Sequence, residues 1–469
     1  MKLTAEEKIS TLSFRGGLFG AILPFLVFVS GVITVALSGA PDERGFWPIL
    51  LLAMAIGLIL AKDKTAYSQV VIEGMSQPIV MIMITAWMLA SIIGVLMAST
   101  GLVEALTWLS SQLQLSGGGF VLATFIICSL ISLSTGSSFA TILICGPILY
   151  PAGGLLGSPL ALMAGAILAG ATLGDFIAPI SDTTIASALS QKADIGPTVK
   201  SRIKYILPAA LLALFAYLVG GLILEGGTMQ DKPELLGSPS GLPMLLVPIY
   251  IVYLFLKGKH LLHGLLLGLL FGIVLGLILG LLPLTELFSL DLENFTAKSL
   301  VIDGINRAVG ISFFTILLMG LVATLQASGL IDRLVLYASQ RSHNAQQAEG
   351  WIAGTVGAAV LLTTHSIVAI LMVAEFANQT GAERGVSPKR RANVLSMIVC
   401  VFPFILPYFI PVILMANTTL SGAEFGIASV SPLDAGLYNF IAWGILLVSI
   451  ASVAFGYGRY RDNEDELRV

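Results

Sequence analysis

Long apolar runs separated by short polar stretches dominate the chain. Crossing the hydrocarbon core of a bilayer takes a helix of about 20 apolar residues, with a range of roughly 17–25. Runs of that kind lie at 17–39, 46–61, 76–99, 199–224, 241–256, 261–283, 305–328 and 436–457. Four further apolar segments, 119–153, 158–190, 351–378 and 392–416, are interrupted by polar residues, Gly or Pro. Such interruptions at membrane depth are tolerated only where protein or a water-filled cavity satisfies the freed backbone groups.

The basic loops predict the sidedness. Lys62 and Lys64, the group Lys192, Lys200, Arg202 and Lys204, the pair Lys257 and Lys259, and the group Arg384, Lys389, Arg390 and Arg391 would all face the cytoplasm. The opposite loops are acidic or neutral: Asp42 and Glu43, Asp231 and Glu234, Asp291 and Glu293, and 417–435. Both termini then fall inside. The count closes only if 119–153 and 351–378 enter and leave on one side as re-entrant hairpins, giving ten crossings and two hairpins. The basic N-terminus, with Lys2, Lys8 and Arg15, precedes a run too long for a signal-peptide core, so a retained first span is expected in the cell (plasma) membrane.

The chain also matches itself. Val71-Ile72-Glu73-Gly74 returns as Val301-Ile302-Asp303-Gly304, and Ala98-Ser99-Thr100-Gly101-Leu102 returns with one deletion as Ala327-Ser328-Gly329-Leu330. Ser134-Thr135-Gly136-Ser137 aligns with Thr363-Thr364-His365-Ser366, and Pro179 with Pro407. A basic loop precedes the first copy of the unit and an acidic loop the second, so the copies enter from opposite sides. The expected fold is an all-α polytopic membrane protein. It would be an inverted repeat of two five-crossing halves, each with a re-entrant hairpin and a broken helix. The halves would span 1–225 and 241–469, joined by an external linker at 226–240. That architecture puts a transport site where the repeats meet.

Composition agrees with a membrane location. Apolar residues make up 56% of the 469 and charged ones 11%, against about 25% charged in soluble domains. Net charge is −3 with no basic run, which gives no support for nucleic-acid binding. Cys128, Cys145 and Cys400 lie in apolar stretches and read as packing residues.

The chemistry concentrates in Gly174-Asp175-Phe176-Ile177-Ala178-Pro179-Ile180-Ser181-Asp182-Thr183-Thr184. Pro179 removes a donor and clashes with the preceding turn, so the helix is expected to unwind, with Asp175 and Asp182 inside the break. Residues 65–191 hold no Lys or Arg, which predicts carboxylates without a basic neighbour. Such groups must be protonated or bind a cation. The plainer alternative makes them helix N-caps in a loop. A second cluster, Ser134, Thr135, Ser137 and Ser138, would form the tip of the first hairpin and, with Ser181 and Thr183, offer hard oxygen ligands to a small cation. The half-helix after the tip could instead hold an anion, or the hydroxyls could simply pack between helices. In the second half Pro403 and Ile410 replace the aspartates, whereas the hairpin tip keeps Thr364, His365 and Ser366 as a polar second-half contribution.

The block GDFIAPISDTT, with Ser134–Ser138 upstream and Ile195–Pro208 downstream, resembles the NhaC-type sodium/proton antiporter family, over what reads as most of the chain. The resemblance implies a member of the broad ion-transporter superfamily, with a homodimeric scaffold-and-transport architecture. It also includes exchangers of organic acids. Many members carry a polar residue where this chain has Phe176.

The function expected is secondary transport rather than catalysis. Na⁺ and H⁺ would compete at Asp175 and Asp182, with transported Na⁺ as the ligand, no cofactor, and the bilayer as environment. Coupled transport of organic acids or amino acids is the alternative; an intramembrane protease and a channel are further readings.

Overall fold

The computed structural model describes residues 12–38, 43–112, 116–224, 238–291 and 296–458. Lys2, Lys8, Asp42, Asp231, Glu234, Glu293 and nearly all of the expected linker 226–240 lie outside them. The first half runs α1 (Gly17–Leu37), α2 (Trp47–Leu60), α3 (Lys64–Met75), α4 (Pro78–Ser99), α5 (Leu102–Gln112), α6 (Gly117–Thr135), α7 (Ser138–Leu155), α8 (Leu160–Ile177), α9 (Asp182–Ser190) and α10 (Ile195–Ile223). The second half runs α11 (Leu246–Leu256), α12 (Leu261–Ile278), α13 (Leu284–Leu287), a ribbon of β1 (Ser289–Asp291) and β2 (Thr296–Lys298), then α14 (Leu300–Gln326), α15 (Leu330–Gln340), α16 (Ala345–Thr363), α17 (Ser366–Glu383), α18 (Pro388–Val399), α19 (Ile410–Thr418), α20 (Pro432–Leu437) and α21 (Phe440–Phe455).

Among the described residues, eight helices are long and apolar enough to cross a membrane; 44–60, 239–255 and 440–455 are shorter apolar helices. The chain is a multi-pass, essentially all-helical membrane protein. The small antiparallel ribbon, which pairs Ser289 with Lys298 and Leu290 with Ala297, departs from the all-α expectation. It joins helices over a segment too short and polar to span.

Both interrupted pairs form helix–turn–helix hairpins, and both tips use the same local device. Gly136 closes α6 in the left-handed region (φ +66°), and Thr364 closes α16 there at φ +53°. Glycine takes that conformation without cost, whereas threonine is strained in it. In each tip a threonine hydroxyl one residue earlier accepts the N–H one residue later: Thr135 from Ser137, and Thr363 from His365, both at 3.4 Å. The geometric match is therefore Thr135–Ser138 with Thr363–Ser366, one residue on from the match made on sequence.

Packing of α8 on α6 sets the depth of the first tip. The contact is made by small residues, which let helix backbones approach closely. A Cβ at Gly174 would run into Ser132 and Leu133, and one at Gly170 into Cys128 and Phe125. The Ser132 hydroxyl crosses this seam to donate to the Ala171 carbonyl at 2.7 Å. Where α18 meets α16 and α21, the Arg390 guanidinium donates to both Glu349 carboxylate oxygens, at 3.1 and 2.9 Å, and to Tyr205 and Ser452. Both members of this ion pair are buried.

Breaking a buried pair from one side leaves an uncompensated charge, at a cost of about 3–5 kcal/mol. Glu349→Gln is expected to lower the thermal unfolding midpoint of the purified protein accordingly. Adding Arg390→Met, which removes the orphaned charge, should recover part of the loss. A midpoint unchanged by Glu349→Gln would contradict this.

Candidate functional site

Helix α8 ends at Ile177, and the N–H of Ala178 still bonds the Gly174 carbonyl. The residue before a proline is pushed out of helical geometry, so Ala178 is extended and the chain turns through Pro179 and Ile180 before α9 begins. The unwound stretch is thus four residues, Ala178 to Ser181. The aspartates flank it instead of lying in it: Asp175 sits in the last turn of α8 and Asp182 opens α9. The second half breaks at the corresponding place, between α18 and α19, with a short 3₁₀ turn at Phe402–Phe404.

Asp175 is only 8% exposed. Its carboxylate receives two hydroxyl hydrogen bonds, from Ser138 at 3.0 Å and Ser181 at 2.5 Å. Ser138 is the first residue of α7, and Ser181 is the N-cap of α9. Ser181 makes no side-chain cap, because its hydroxyl is turned to Asp175 and lies 2.9 Å from Thr183 Oγ1. Two helix N-termini therefore converge on one carboxylate, where their partial positive charge favours an anion.

Asp182 differs. It is exposed, and no hydrogen bond or ion pair engages it among the described residues. The expectation of two carboxylates held away from water thus fits Asp175 and not Asp182. As the first residue of α9, Asp182 also matches the plainer helix-terminus reading, since an acid there complements the dipole.

The expectation of no basic neighbour is corrected. Arg202, from α10, is fully buried behind the break. Its guanidinium donates to the Phe176 carbonyl at 2.8 Å, Thr184 Oγ1 at 2.7 Å, Ser187 Oγ at 2.9 Å and Asn393 Oδ1 at 3.0 Å. No ion pair joins it to Asp175 among the described residues, but through the Phe176 carbonyl it is held one residue from that carboxylate in sequence. In sequence Arg202 belongs to a spaced group of basic residues that reads as cytoplasmic loop, so only α10's register could have revealed it.

A cavity of about 90 Å³ brings both halves together. The first half lines it with Gly136 to Phe139, Asp175, Asp182 and Thr183; the second lines it with Thr364 to Ile367, Pro403, Phe404, Ile410 and Pro411. That is room for an ion with a few waters. Ser137 lines it while capping α7 through the Ala140 N–H. Ser366 donates to the Val399 carbonyl at 3.1 Å, and Thr364 to the Thr363 carbonyl at 2.8 Å. His365 Nδ1 is buried with no hydrogen-bond partner among the described residues. Ser134 does not join: its hydroxyl donates back to Leu130 in its own helix. Thr135 and Ser181 do not line it, although Thr135 lines the wider cleft beside it. Phe176 is fully buried, with Arg202 5.4 Å from its ring centre, and faces away from the cavity. Met83 also lines it. A wider cleft of about 620 Å³ shares Met83, Ser137, Asp182 and His365 and runs to Lys259 and His260.

Helical membrane proteins with broken helices meeting hairpin tips at a polar cavity are, as a class, transporters. Residues 9–222, just under half of the chain, match the profile of the Na⁺/H⁺ antiporter family. The match covers the first half, not most of the chain. The malate-2H⁺/Na⁺-lactate antiporter of Bacillus subtilis is 31% identical over 224 residues, 47% of each chain. The Na⁺/H⁺ antiporter NhaC of Alkalihalophilus pseudofirmus is 27% identical over 256 residues, 54% of each. The arginine/ornithine antiporter ArcD of Halobacterium salinarum is 30% identical over 148 residues, 30% of each. The chain thus matches about half the length, or less, of these curated relatives. Among solved structures, Neisseria gonorrhoeae MtrF, from a class of antimetabolite efflux pumps, aligns over 92% of this chain and 94% of its own at 15% identity. The TM-score is 0.38, too loose a likeness to define the fold.

Arg202→Met leaves several acceptors around the break without their donor, at about 1–3 kcal/mol for each group left unsatisfied. A fall in unfolding midpoint is expected. Arg202→Lys, which keeps the charge but not the planar fork, should recover only part of it. Equal midpoints in all three proteins would show that the fork does not hold the break.

Proposed function

We propose that the protein is a sodium/proton antiporter in which Na⁺ and H⁺ compete for Asp175, with Asp182 as a second carboxylate at the cavity. The observation carrying this reading is the buried Asp175 carboxylate, which has oxygen-bearing side chains at 3.0 and 2.5 Å and a cavity of ion size beside it. The family match supports it. Ser138, Ser181, Thr183 and Ser137 would supply neutral oxygens, and Thr135 would support the tip. Ser134 would act through its own helix.

The reading includes an inverted repeat, 1–225 and 241–469, with five crossings per half and re-entrant hairpins. It is supported by the matched tips and by Pro403 and Ile410 lining the cavity at the positions of Asp175 and Asp182. With the basic loops and both termini cytoplasmic, the cleft to Lys259 and His260 makes this an inward-open state. On the far side Arg307 pairs with Glu424, and Asn417 donates to the Arg307 carbonyl at 3.2 Å. Movement of the hairpin-bearing helices against the rest would alternate access. Homodimerisation belongs to the same reading through the family resemblance.

Organic-acid exchange is the second reading. It is favoured by His365, whose unpartnered Nδ1 stands at the start of α17 on the cavity wall, where a carboxylate could be met.

Flux in proteoliposomes tests the main reading. A charge-assisted contact is worth about 1.5–3 kcal/mol, or roughly 10- to 100-fold in affinity. Asp175→Asn is expected to abolish sodium-driven proton movement, and Asp182→Asn to raise the Na⁺ concentration needed for half-maximal rate. If both variants exchange like the parent, the assignment is wrong. Movement of labelled lactate or malate driven by Na⁺ would favour the second reading.

A further inference from the structure

The central cavity takes the start of one helix from each half as a wall. Asp182 and Thr183 open α9, and Ser366 and Ile367 open α17. The two helices pack on each other. Away from the cavity one side chain ties them. Gln191, the residue that closes α9, is fully buried. Its Nε2 donates to the Ala374 carbonyl of α17 at 3.0 Å, and its Oε1 accepts from Arg391 of α18 at 3.2 Å. At the 1.5 Å rise of an α-helix, the stretches Asp182–Gln191 and Ser366–Ala374 each measure roughly 12–14 Å. Two struts of nearly equal length therefore run from the cavity to a single tie.

The tie calls for an amide. Arg391 is buried and carries donors only, so it needs an acceptor, whereas the Ala374 carbonyl needs a donor. An amide offers both at once, and these partners fix which way it points. Arg391 is itself held by the Val386 carbonyl and by Asn378 Oδ1, the latter at 3.2 Å. Gly381 leaves it room, since a Cβ there would run into the Arg391 side chain. Backbone strain gathers on the same two helices. Among the described residues, Lys192 and Thr364 are the only non-glycine residues with positive φ, at +56° and +53°. Lys192 follows Gln191, and Thr364 lies just before α17. Such strain persists only where the surroundings over-determine the geometry.

We propose that Gln191, clamped by Arg391, is a positioning residue that sets the spacing between the two walls of the central cavity, and so the size of the cation that enters it. This rests on the sodium-binding reading of that cavity. With the far ends tied, the walls part only by bending a strut or breaking the tie. A fixed gap suits a small ion, and a loosened one admits the larger K⁺.

The test titrates Na⁺ and K⁺ separately into the purified full chain by calorimetry. The parent is expected to prefer Na⁺. Gln191→Glu keeps an acceptor for Arg391 but sets a carboxylate against the Ala374 carbonyl. Gly381→Ala displaces Arg391 and leaves Gln191 itself unchanged. Each should cut the preference for Na⁺ over K⁺ about two- to tenfold, the worth of one hydrogen bond. Glu349→Gln, which strikes a buried ion pair away from this tie, should keep the parent's preference even as it lowers the unfolding midpoint. A parent that binds Na⁺ and K⁺ equally, or tie variants that bind Na⁺ with the parental ratio, overturns the proposal. So does an equal loss in Glu349→Gln, because general destabilisation would then account for the effect. A parent that binds no Na⁺ at all overturns the sodium reading, and this proposal with it.

Discussion

Two hydroxyls on one carboxylate organise the centre of this protein. Ser138 reaches Asp175 from the hairpin tip, and Ser181 reaches it from the far side of the helix break. Neither contact is possible unless α8 packs closely on α6, which the glycine seam at Gly170 and Gly174 permits. Nor is either possible unless α8 stops at Ile177, which Pro179 enforces. A carboxylate in this setting is expensive to leave unmet, so the tip, the seam and the break behave as one unit. Displacing any one of them would expose the charge that the other two hold.

Arg202 adds a fixed cation behind that unit. Under the proposed reading, Asp175, Asp182 and Arg202 together carry one net negative charge when all are ionised. A single Na⁺ or a single proton neutralises it. The two halves contribute unequally. The first brings both acids, whereas the second brings Pro403 and Ile410 at the matching places and keeps its polarity at Thr364, His365 and Ser366. Under the same reading, an inverted repeat with an asymmetric lining would give the ion one preferred wall and leave the opposite wall to shape and exclude.

Much of this was legible in the linear sequence. Pro and Gly punctuation located both hairpins and both breaks, because these residues act locally on the backbone. The same block offered Asp175 and Ser181 as candidate ligands of one site, though not the hydrogen bond between them. Features set by long-range register were not legible. Arg202 looks like one more cytoplasmic charge until α10 turns it inward. Asp182 looks as buried as Asp175 until α9 presents it to the cavity and cleft. Ser134 reads as a tip hydroxyl but bonds its own helix at Leu130, a choice open to any helical serine. The one-residue shift between the tips arises because left-handed caps, not residue identities, define the match. The ribbon of Ser289–Asp291 with Thr296–Lys298 is announced only by a short alternation from Phe288 to Glu293, which the long apolar runs on either side overshadow.

The central claim is that sodium and protons compete for Asp175, and equilibrium Na⁺ binding at two pH values tests it most directly. In the account given, the purified protein binds Na⁺ less tightly at the lower pH, because the proton occupies the same carboxylate. Asp175→Asn removes both the binding and its pH dependence. A Na⁺ affinity that is the same at both pH values, or that survives Asp175→Asn, would contradict it.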